Sequence, residues 1–562
     1  MVGLGLRHRK SPGLVADGNF VQNGWKSRLF KRKDVSRPDE ISWGESMSQN
    51  AGFFSGERWL SRDDFESRVL RAGNVFAALG VGSGDAVALL LRNDFCFFEA
   101  TYGANLVGAY AVPINWHSTA GELAYLLEDS RPRVLVGHAD LLVGVSSALS
   151  EGKRWGMEVL VVDTSAELAT AYGLAKEVCV AHGSGRQAWN VLIDDAGELP
   201  DRRSEVIQSM FYTSGTTGSP KGVRRLAQSK PDVEGLGRIR DRVFGLSPGI
   251  SALVPGPLYH SAPNSMALRA AQQAKTMVLM PRFDAEESLR LIQKYKITNI
   301  FLVPTMLIRL LKLPSSIRAE YDVTSLQHIM IAAAPCPAQV KREMIEWWGP
   351  IVHEFYGSTE LGYMTICDSA EALSKPGTVG RPLEGARVKA LDSDGHEVPA
   401  CVPGEIFGRL AGFPDFTYNN RDKERAEIER DGLITCGDMG YFDTDGYLFL
   451  CDRVRDMVIS GGVNIYPAEI ETSLVGMPGV ADCAVFGIPH DEYGEQLLAV
   501  VQCIPGYSLK SDDIKTYLRE RIAGYKVPRR IEFEQELPRE DSGKIFKRRL
   551  RDRYWKNEPR QI

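Results

Sequence analysis

The sequence predicts an α/β protein: a large N-terminal domain of layered sheets and helices, a β-rich subdomain, and a small α+β C-terminal domain. Three observations carry this reading. Short apolar runs alternate with helical patterns between Val87 and Val303. Asp-Gly turns recur from Gly395 onward. A fresh series of helix and strand patterns begins after Val454-Arg-Asp456.

The runs Val87–Leu91, Val134–Val136, Val159–Val162, Thr276–Leu279 and Asn299–Val303 are continuously apolar or nearly so. Strands buried on both faces read this way, which favours largely parallel sheets. Asp284 to Tyr295 reads as a helix. Asp284 is placed to cap it, with Glu287 three residues on; Ala285, Leu289 and Ile292 share one stripe, with Tyr295 at its edge. Further along, Asp394-Gly395, Asp431-Gly432 and Asp445-Gly446 are tight-turn signals. The last unit is expected to hold a helix from Pro467, strands at Ala484–Phe486 and Leu498–Cys503, and a helix near Asp512–Ile522. The resulting division is a polar, basic arm over 1–42, a large domain over 43–453, a charged junction at 454–456 and a small domain over 457–562.

The bulk numbers describe an ordinary soluble globular protein. A chain of 562 residues exceeds what one hydrophobic core supports. Apolar content of 44% and charged content of 25% are ordinary for globular proteins. A formal charge of −5 argues against a general nucleic-acid binder. The nine cysteines show no CxxC pairing and sit in apolar contexts, so reduced thiols in a cytoplasmic protein fit best, with no zinc site. No stretch approaches the length needed to span a bilayer. Arg7-His-Arg-Lys10 and Lys31-Arg-Lys33 make the N-terminal arm basic; a solvated arm is expected.

Thr213-Ser-Gly-Thr-Thr-Gly-Ser-Pro-Lys-Gly222 is the most informative segment. Gly215, Gly218 and Gly222 free the backbone. Successive amides can then turn inward on an anion, with hydroxyls from Thr213, Ser214, Thr216 and Thr217 and a mobile charge from Lys221. Met210–Tyr212 reads as a strand end, which puts this loop where open α/β sheets hold their ligands. It is not the common nucleotide loop, because Lys221 is followed by Gly222 rather than by Ser or Thr. A second segment, Tyr356-Gly-Ser-Thr-Glu360, offers an aromatic face to a base. Thr359 offers a hydroxyl to a phosphate oxygen, and Glu360 a hard ligand to Mg²⁺. Thr435-Cys-Gly-Asp438 supplies a turn carboxylate suited to a cis-diol.

These segments together resemble the adenylate-forming enzymes: acyl-CoA synthetases, luciferases and adenylation domains of peptide synthetases. The resemblance runs from about Trp59 to Leu550. It implies that residues 213–222 form a phosphate loop, with Thr216 at the reacting phosphates and Thr213 and Glu360 at Mg²⁺. It places Ala333, Ala334, Pro335, Glu354, Phe355, Tyr356, Gly357 and Thr359 around the nucleotide, and Asp438 and Arg453 on the ribose. Asp452–Glu471 matches the interdomain segment. Arg455 falls at the hinge, where Asp or Lys is more usual, and Gly461-Gly462 would let the pantetheine arm of CoA approach. Lys544, within Pro538–Arg548, matches the lysine that joins carboxylate and α-phosphate oxygens; the nearby cluster Lys547-Arg-Arg549 reads as solvated charge. His260 falls at a gating position beside the acyl carbon, and is not expected to act as a general base. Cys436 stands where Thr or Ser is more common.

The implied activity is an ATP- and Mg²⁺-dependent acid–CoA ligase, forming acyl-AMP and then the thioester after the small domain rotates. Segments 257–264 and 332–335 carry no fixed charge, so a predominantly apolar acid is expected: medium- or long-chain fatty, steroid side-chain or aryl. Few residues follow Lys544, so a carrier acceptor would be a separate protein. The alternatives are an acyl-AMP ligase loading such a carrier, a light-emitting oxygenase, and a non-catalytic nucleotide-binding relative. A homodimer is a habit of the family.

Overall fold

A computed structural model describes residues 51–180, 187–199, 209–213, 220–226, 230–453, 456–460, 463–539 and 545–555. The continuous apolar runs become strands of two sheets. The larger has nine strands, in the order Arg381–Pro382, Gly362–Cys367, Val352–Ser358, His328–Ile331, Asn299–Leu302, Ser251–Val254, Thr276–Leu279, Gly52–Ser55 and Arg58–Leu60. Its inner pairs are parallel, and both edges are antiparallel. The second sheet has five strands, all paired in parallel: Tyr110–Pro113, Ala86–Leu90, Val134–His138, Glu158–Val162 and Gln187–Ala188. Ala86–Leu90 and Val134–His138 are buried at every position, as the absence of polar alternation predicts.

The expected helix forms over Ala285–Tyr295. Asp284 caps it by accepting the N–H of Glu287 (2.8 Å), and Leu289, Ile292 and Tyr295 are buried. Residues from 386 onward build an antiparallel sheet of Ala386–Leu391, Gly404–Leu410, Leu433–Phe442, Glu429–Arg430 and Leu448–Arg453. Asp431 and Gly432 take φ of 48° and 73° between the paired residues Arg430 and Leu433. Two positive φ values make the two-residue hairpin turn that the Asp-Gly signal predicts.

The strand before the phosphate loop departs from expectation. Phe211–Thr213 does not belong to a parallel sheet. It pairs antiparallel with Lys221–Arg225, which pairs with Phe416–Tyr418, in a separate three-stranded sheet. The loop therefore connects a hairpin whose last residues, Thr213 and Lys221, face each other. Short antiparallel partners need no crossover helix, so the parallel-sheet signal does not reach this segment.

The C-terminal unit is a five-stranded sheet of Val463–Ile465, Val458–Ser460, Gly494–Cys503, Val480–His490 and Arg530–Phe533. Helices Pro467–Val475 and Ser511–Arg519 cover one face through Ile470, Leu474, Ile514 and Leu518. Leu537 and Leu550 cover the other, against Phe486 and Leu498. Lys547 corrects the reading of its cluster as solvated charge. Its Nζ pairs with Glu471 on helix Pro467–Val475 at 2.8 Å, and burial pushes the Glu471 carboxyl up to about 7.

His328 and His353, on adjacent strands of the large sheet, stack with ring centroids 4.3 Å apart. Burial, and then the neighbouring His353, push the His328 imidazole down to about 4. The unfolded chain takes up this proton near pH 6.5; the folded protein resists until about 4. Stability is thus retained above about pH 6.5 and lost as pH falls toward 4. This one group should cost about 2 kcal/mol between pH 7 and 5. Denaturant unfolding at the two pH values should show that loss, and His328→Asn should flatten the difference.

Candidate active site

Four separate segments meet at Glu360. The strands Val352–Ser358 and Gly362–Cys367 form a hairpin closed by the pair Ser358 and Gly362, and Glu360 lies in its turn. Gly357 is required there, because a Cβ would come 1.8 Å from the carbonyl oxygen of Gly362. The Glu360 carboxylate is buried, with 8% exposure. Its hydrogen-bond partners are hydroxyls and a thiol; the Arg225 and Arg453 guanidiniums lie within electrostatic reach without forming an ion pair with it. Thr213 Oγ1 donates to Oε1 at 3.0 Å, Tyr418 Oη donates to Oε1 at 3.2 Å, and Cys436 Sγ approaches Oε2 at 3.9 Å. A buried carboxylate that forms no direct ion pair is costly unless nearby charge compensates it. A divalent metal with oxygen preference fits the donor set of Glu360 and Thr213.

Beside this group, Asp438 lies on strand Leu433–Phe442 opposite Arg453. Its Oδ1 accepts from Arg453 Nε at 3.2 Å and its Oδ2 from Tyr356 Oη at 2.9 Å. Ser358 shares a 2.9 Å hydrogen bond with Cys436 Sγ, which links the two carboxylate sites. Thr359 Oγ1 shares a 2.9 Å bond with Ser261, the first residue of helix Ser261–Ala271. His260 is the N-terminal cap position of that helix, its ring 4.3 Å from Tyr259. The segment is held from outside: Asn93 donates to the carbonyls of Gly256 and Met280 and accepts the Leu258 N–H. Ala333 has a left-handed φ of 77°, uncommon for a residue with a Cβ, and is solvent-exposed. Held strain of this kind concentrates at ligand sites.

Thr213, Tyr356, Thr359, Glu360, Asp438 and Arg453 are thus brought together as the sequence predicts. Three expected residues are placed differently. Lys221 is not a mobile cation: it is 6% exposed, pairs with Glu424 at 2.6 Å and lies 5.0 Å from the Tyr418 ring. Its position opposite Thr213 in the hairpin turns it into the interior. Glu354 gives its side chain to the core, where Lys341 Nζ donates to it at 2.6 Å and burial raises the carboxyl pKa. Phe355 packs among Phe244, Phe301 and Tyr363. The strand is covered on both faces, so both of these successive side chains are buried and only their backbone borders the site. Ser214, Gly215, Thr216, Thr217, Gly218, Arg455, Gly461, Gly462 and Lys544 lie outside the described residues.

Sequence reading missed Tyr418, Glu424, Asn93 and Arg225. Each sits far along the chain from the residue it holds, and no local motif marks any of them. Another cluster, Asp94, Cys96 and His138, has metal-type side chains. Its His138 Nδ1 accepts the Arg92 N–H, which leaves the ring proton on Nε2, 3.4 Å from Asp94 Oδ2; Asp94 also pairs with Arg58. With its proton there, Nε2 has no lone pair for a metal, and the cluster is a structural ion-pair network.

Comparison with known proteins supplies the class. A family model described as AMP-binding enzyme matches residues 43–412. Another, described as AMP-binding enzyme C-terminal domain, matches 469–544. The chain belongs to the AMP-binding enzyme family. It is similar to a fatty acid–acyl-carrier-protein ligase of Streptomyces coeruleorubidus, 32% identical over 90% of this chain and 93% of that protein. It is similar also to a feruloyl-CoA synthase of Amycolatopsis sp, 33% identical over 88% and 94%. Among solved structures, ATP-bound MatB from Rhodopseudomonas palustris shares the fold with a TM-score of 0.77. That match has 25% identity and covers 94% of this chain and 98% of that one. The AMP-binding enzyme described here is an AMP-forming acid–thiol ligase of the acyl-CoA or acyl-carrier class, and its family works with ATP, Mg²⁺ and CoA.

Asp438→Ala strands the Arg453 guanidinium and the Tyr356 hydroxyl. Hydrogen bonds to charged groups contribute about 1.5–3 kcal/mol each. On the expectation that Asp438 takes the ribose hydroxyls, the KM for ATP in pyrophosphate exchange should rise on the order of tenfold or more, with the KM for the acid little changed.

Proposed function

We propose that this ligase joins a predominantly apolar carboxylic acid to CoA through an acyl-adenylate. The observation that carries the reading is the buried Glu360 carboxylate, bonded to the residue that opens the phosphate loop. In this reading residues 213–218 cradle the phosphates, with Thr216 at the reacting end. Tyr356 faces the adenine, flanked by the backbone of Ala333, Ala334, Pro335 and Gly357. Asp438 and Arg453 take the ribose hydroxyls in place of part of their mutual hydrogen bonding. Glu360 and Thr213 would hold Mg²⁺, which supplies positive charge to the phosphate oxygens. Lys544 brings a further cation to the α-phosphate as the acid's carboxylate attacks it, and one well-aimed group of this kind is worth on the order of 10²–10³ in rate. Pyrophosphate leaves. The small domain, 457–562, then turns about Arg455, withdrawing Lys544 and bringing Gly461-Gly462 to the cleft. The CoA sulfur attacks the acyl carbon and AMP departs with its electron pair on the phosphate oxygen.

The acceptor reading draws on a cleft of about 500 Å³ in the C-terminal unit. Ser460 and Val463, which flank Gly461-Gly462, line it together with Tyr493, Tyr525, Lys515, Arg519 and Arg529. Arg529 lies 4.2 Å from the Tyr493 ring. Two aromatic faces and three cations suit a nucleotide carrying phosphates, which favours CoA over a separate carrier protein. Relatives named for fatty and feruloyl substrates accord with an apolar acid. The uncharged segments around His260 and Ala332–Pro335 support the same choice.

Lys544→Ala should abolish pyrophosphate exchange while leaving thioester formation from supplied acyl-AMP largely intact; equal loss of both would contradict its role. Arg519→Ala should raise the KM for CoA on the order of tenfold and leave pyrophosphate exchange unchanged. A carrier-loading enzyme would instead accumulate acyl-AMP with CoA and show no acyl-CoA by mass spectrometry.

A further inference from the structure

Arg225 ends the strand Lys221–Arg225 that leaves the phosphate loop. Its Nη1 donates to the carbonyls of Glu360 (3.1 Å) and Pro414 (3.0 Å), and its Nη2 to the carbonyl of Thr359. The guanidinium carbon lies 4.4 Å from the Phe413 ring centre and 5.3 Å from that of Phe416. The carboxylates of Glu360 and Asp415 lie within electrostatic reach of it, but its hydrogen-bond donors go to main-chain oxygens. From the other side Ser358 Oγ accepts the N–H groups of Glu360 (3.2 Å) and Leu361 (3.0 Å). The turn that carries Glu360 is therefore gripped at its carbonyls by the loop's own strand and at its amides by Ser358.

We propose that Arg225 is a positioning residue for the metal-site carboxylate, fixing the Thr359–Glu360 turn against the strand that anchors the phosphate loop. A planar fork can reach several carbonyls at once; a lysine ammonium in the same place cannot reproduce that geometry. Partners one step removed from a metal commonly alter its affinity 10–100-fold. The inference rests on the reading of Glu360 as the Mg²⁺ carboxylate, and the test separates the two.

Full-length protein is titrated with Mn²⁺ by electron paramagnetic resonance in the presence of a non-hydrolysable ATP analogue. Arg225→Met should weaken Mn²⁺ binding on the order of tenfold, and Arg225→Lys should weaken it by at least threefold. The Mg²⁺ needed for half-maximal pyrophosphate exchange should rise in parallel, with the KM for the acid within about twofold. In a Glu360→Gln background, Arg225→Met should add less than twofold. Unchanged Mn²⁺ affinity in a folded Arg225 variant would overturn the proposal, as would full additivity with Glu360→Gln. Should the Met variant fail to fold, the Lys variant decides alone. Were Glu360→Gln by itself to leave Mn²⁺ affinity unchanged, the metal reading would fall first and take this proposal with it.

Discussion

A buried negative charge that forms no direct ion pair organises this molecule, with the guanidiniums of Arg225 and Arg453 near it but bonded elsewhere. Glu360 is buried, and its carboxylate is met by the hydroxyls of Thr213 and Tyr418 and the thiol of Cys436. Desolvating a carboxylate costs several kcal/mol even after relaxation, and neutral donors recover only part of that. Folding thus places a carboxylate bonded only by neutral donors at one point, where the proposed metal site would sit. Elsewhere cations are matched to acids: Lys221 to Glu424, Lys341 to Glu354, Lys547 to Glu471. The contrast separates acids held in direct ion pairs from Glu360, whose hydrogen bonds come from neutral groups.

Much of the architecture was legible because it follows from short-range rules. Continuous apolar runs gave the buried parallel strands, the Asp284 cap gave its helix, and Asp431-Gly432 gave its turn. The motif residues Thr213, Tyr356, Glu360, Asp438 and Arg453 also converge as expected. What was not legible depends on distance along the chain or on which way a strand faces. Lys221 looks like a free cation until its hairpin register turns it onto Glu424. Glu354 and Phe355 precede the motif directly, yet the strand is covered on both faces and both side chains go to the core. Lys547 looks like one of a run of solvated charges, and only the packing of the tail against helix Pro467–Val475 reveals its partner. Arg225 and Tyr418 belong to strands whose pairing no local pattern announces.

The small three-stranded sheet explains how a loop of hydroxyls and glycines is presented precisely. Its strands tie residues 211–213 and 221–225 to 416–418. Asn419 and Tyr212 both bond Asp129, at the end of helix Ala120–Ser130 beside the five-stranded sheet. The strands on either side of the loop are thus referenced to two layers at once.

One further bond sets a condition on any swing of the C-terminal unit. Asp452 closes the last strand before residues 454–456, and its Oδ2 accepts the N–H of Ala468 at 2.9 Å, in the opening turn of helix Pro467–Val475. Carboxylate and amide lie on either side of residues 454–456. The proposed rotation about this junction would expose a helix terminus and an acid that burial already disfavours as an anion. A bond of this kind contributes on the order of one to two kcal/mol.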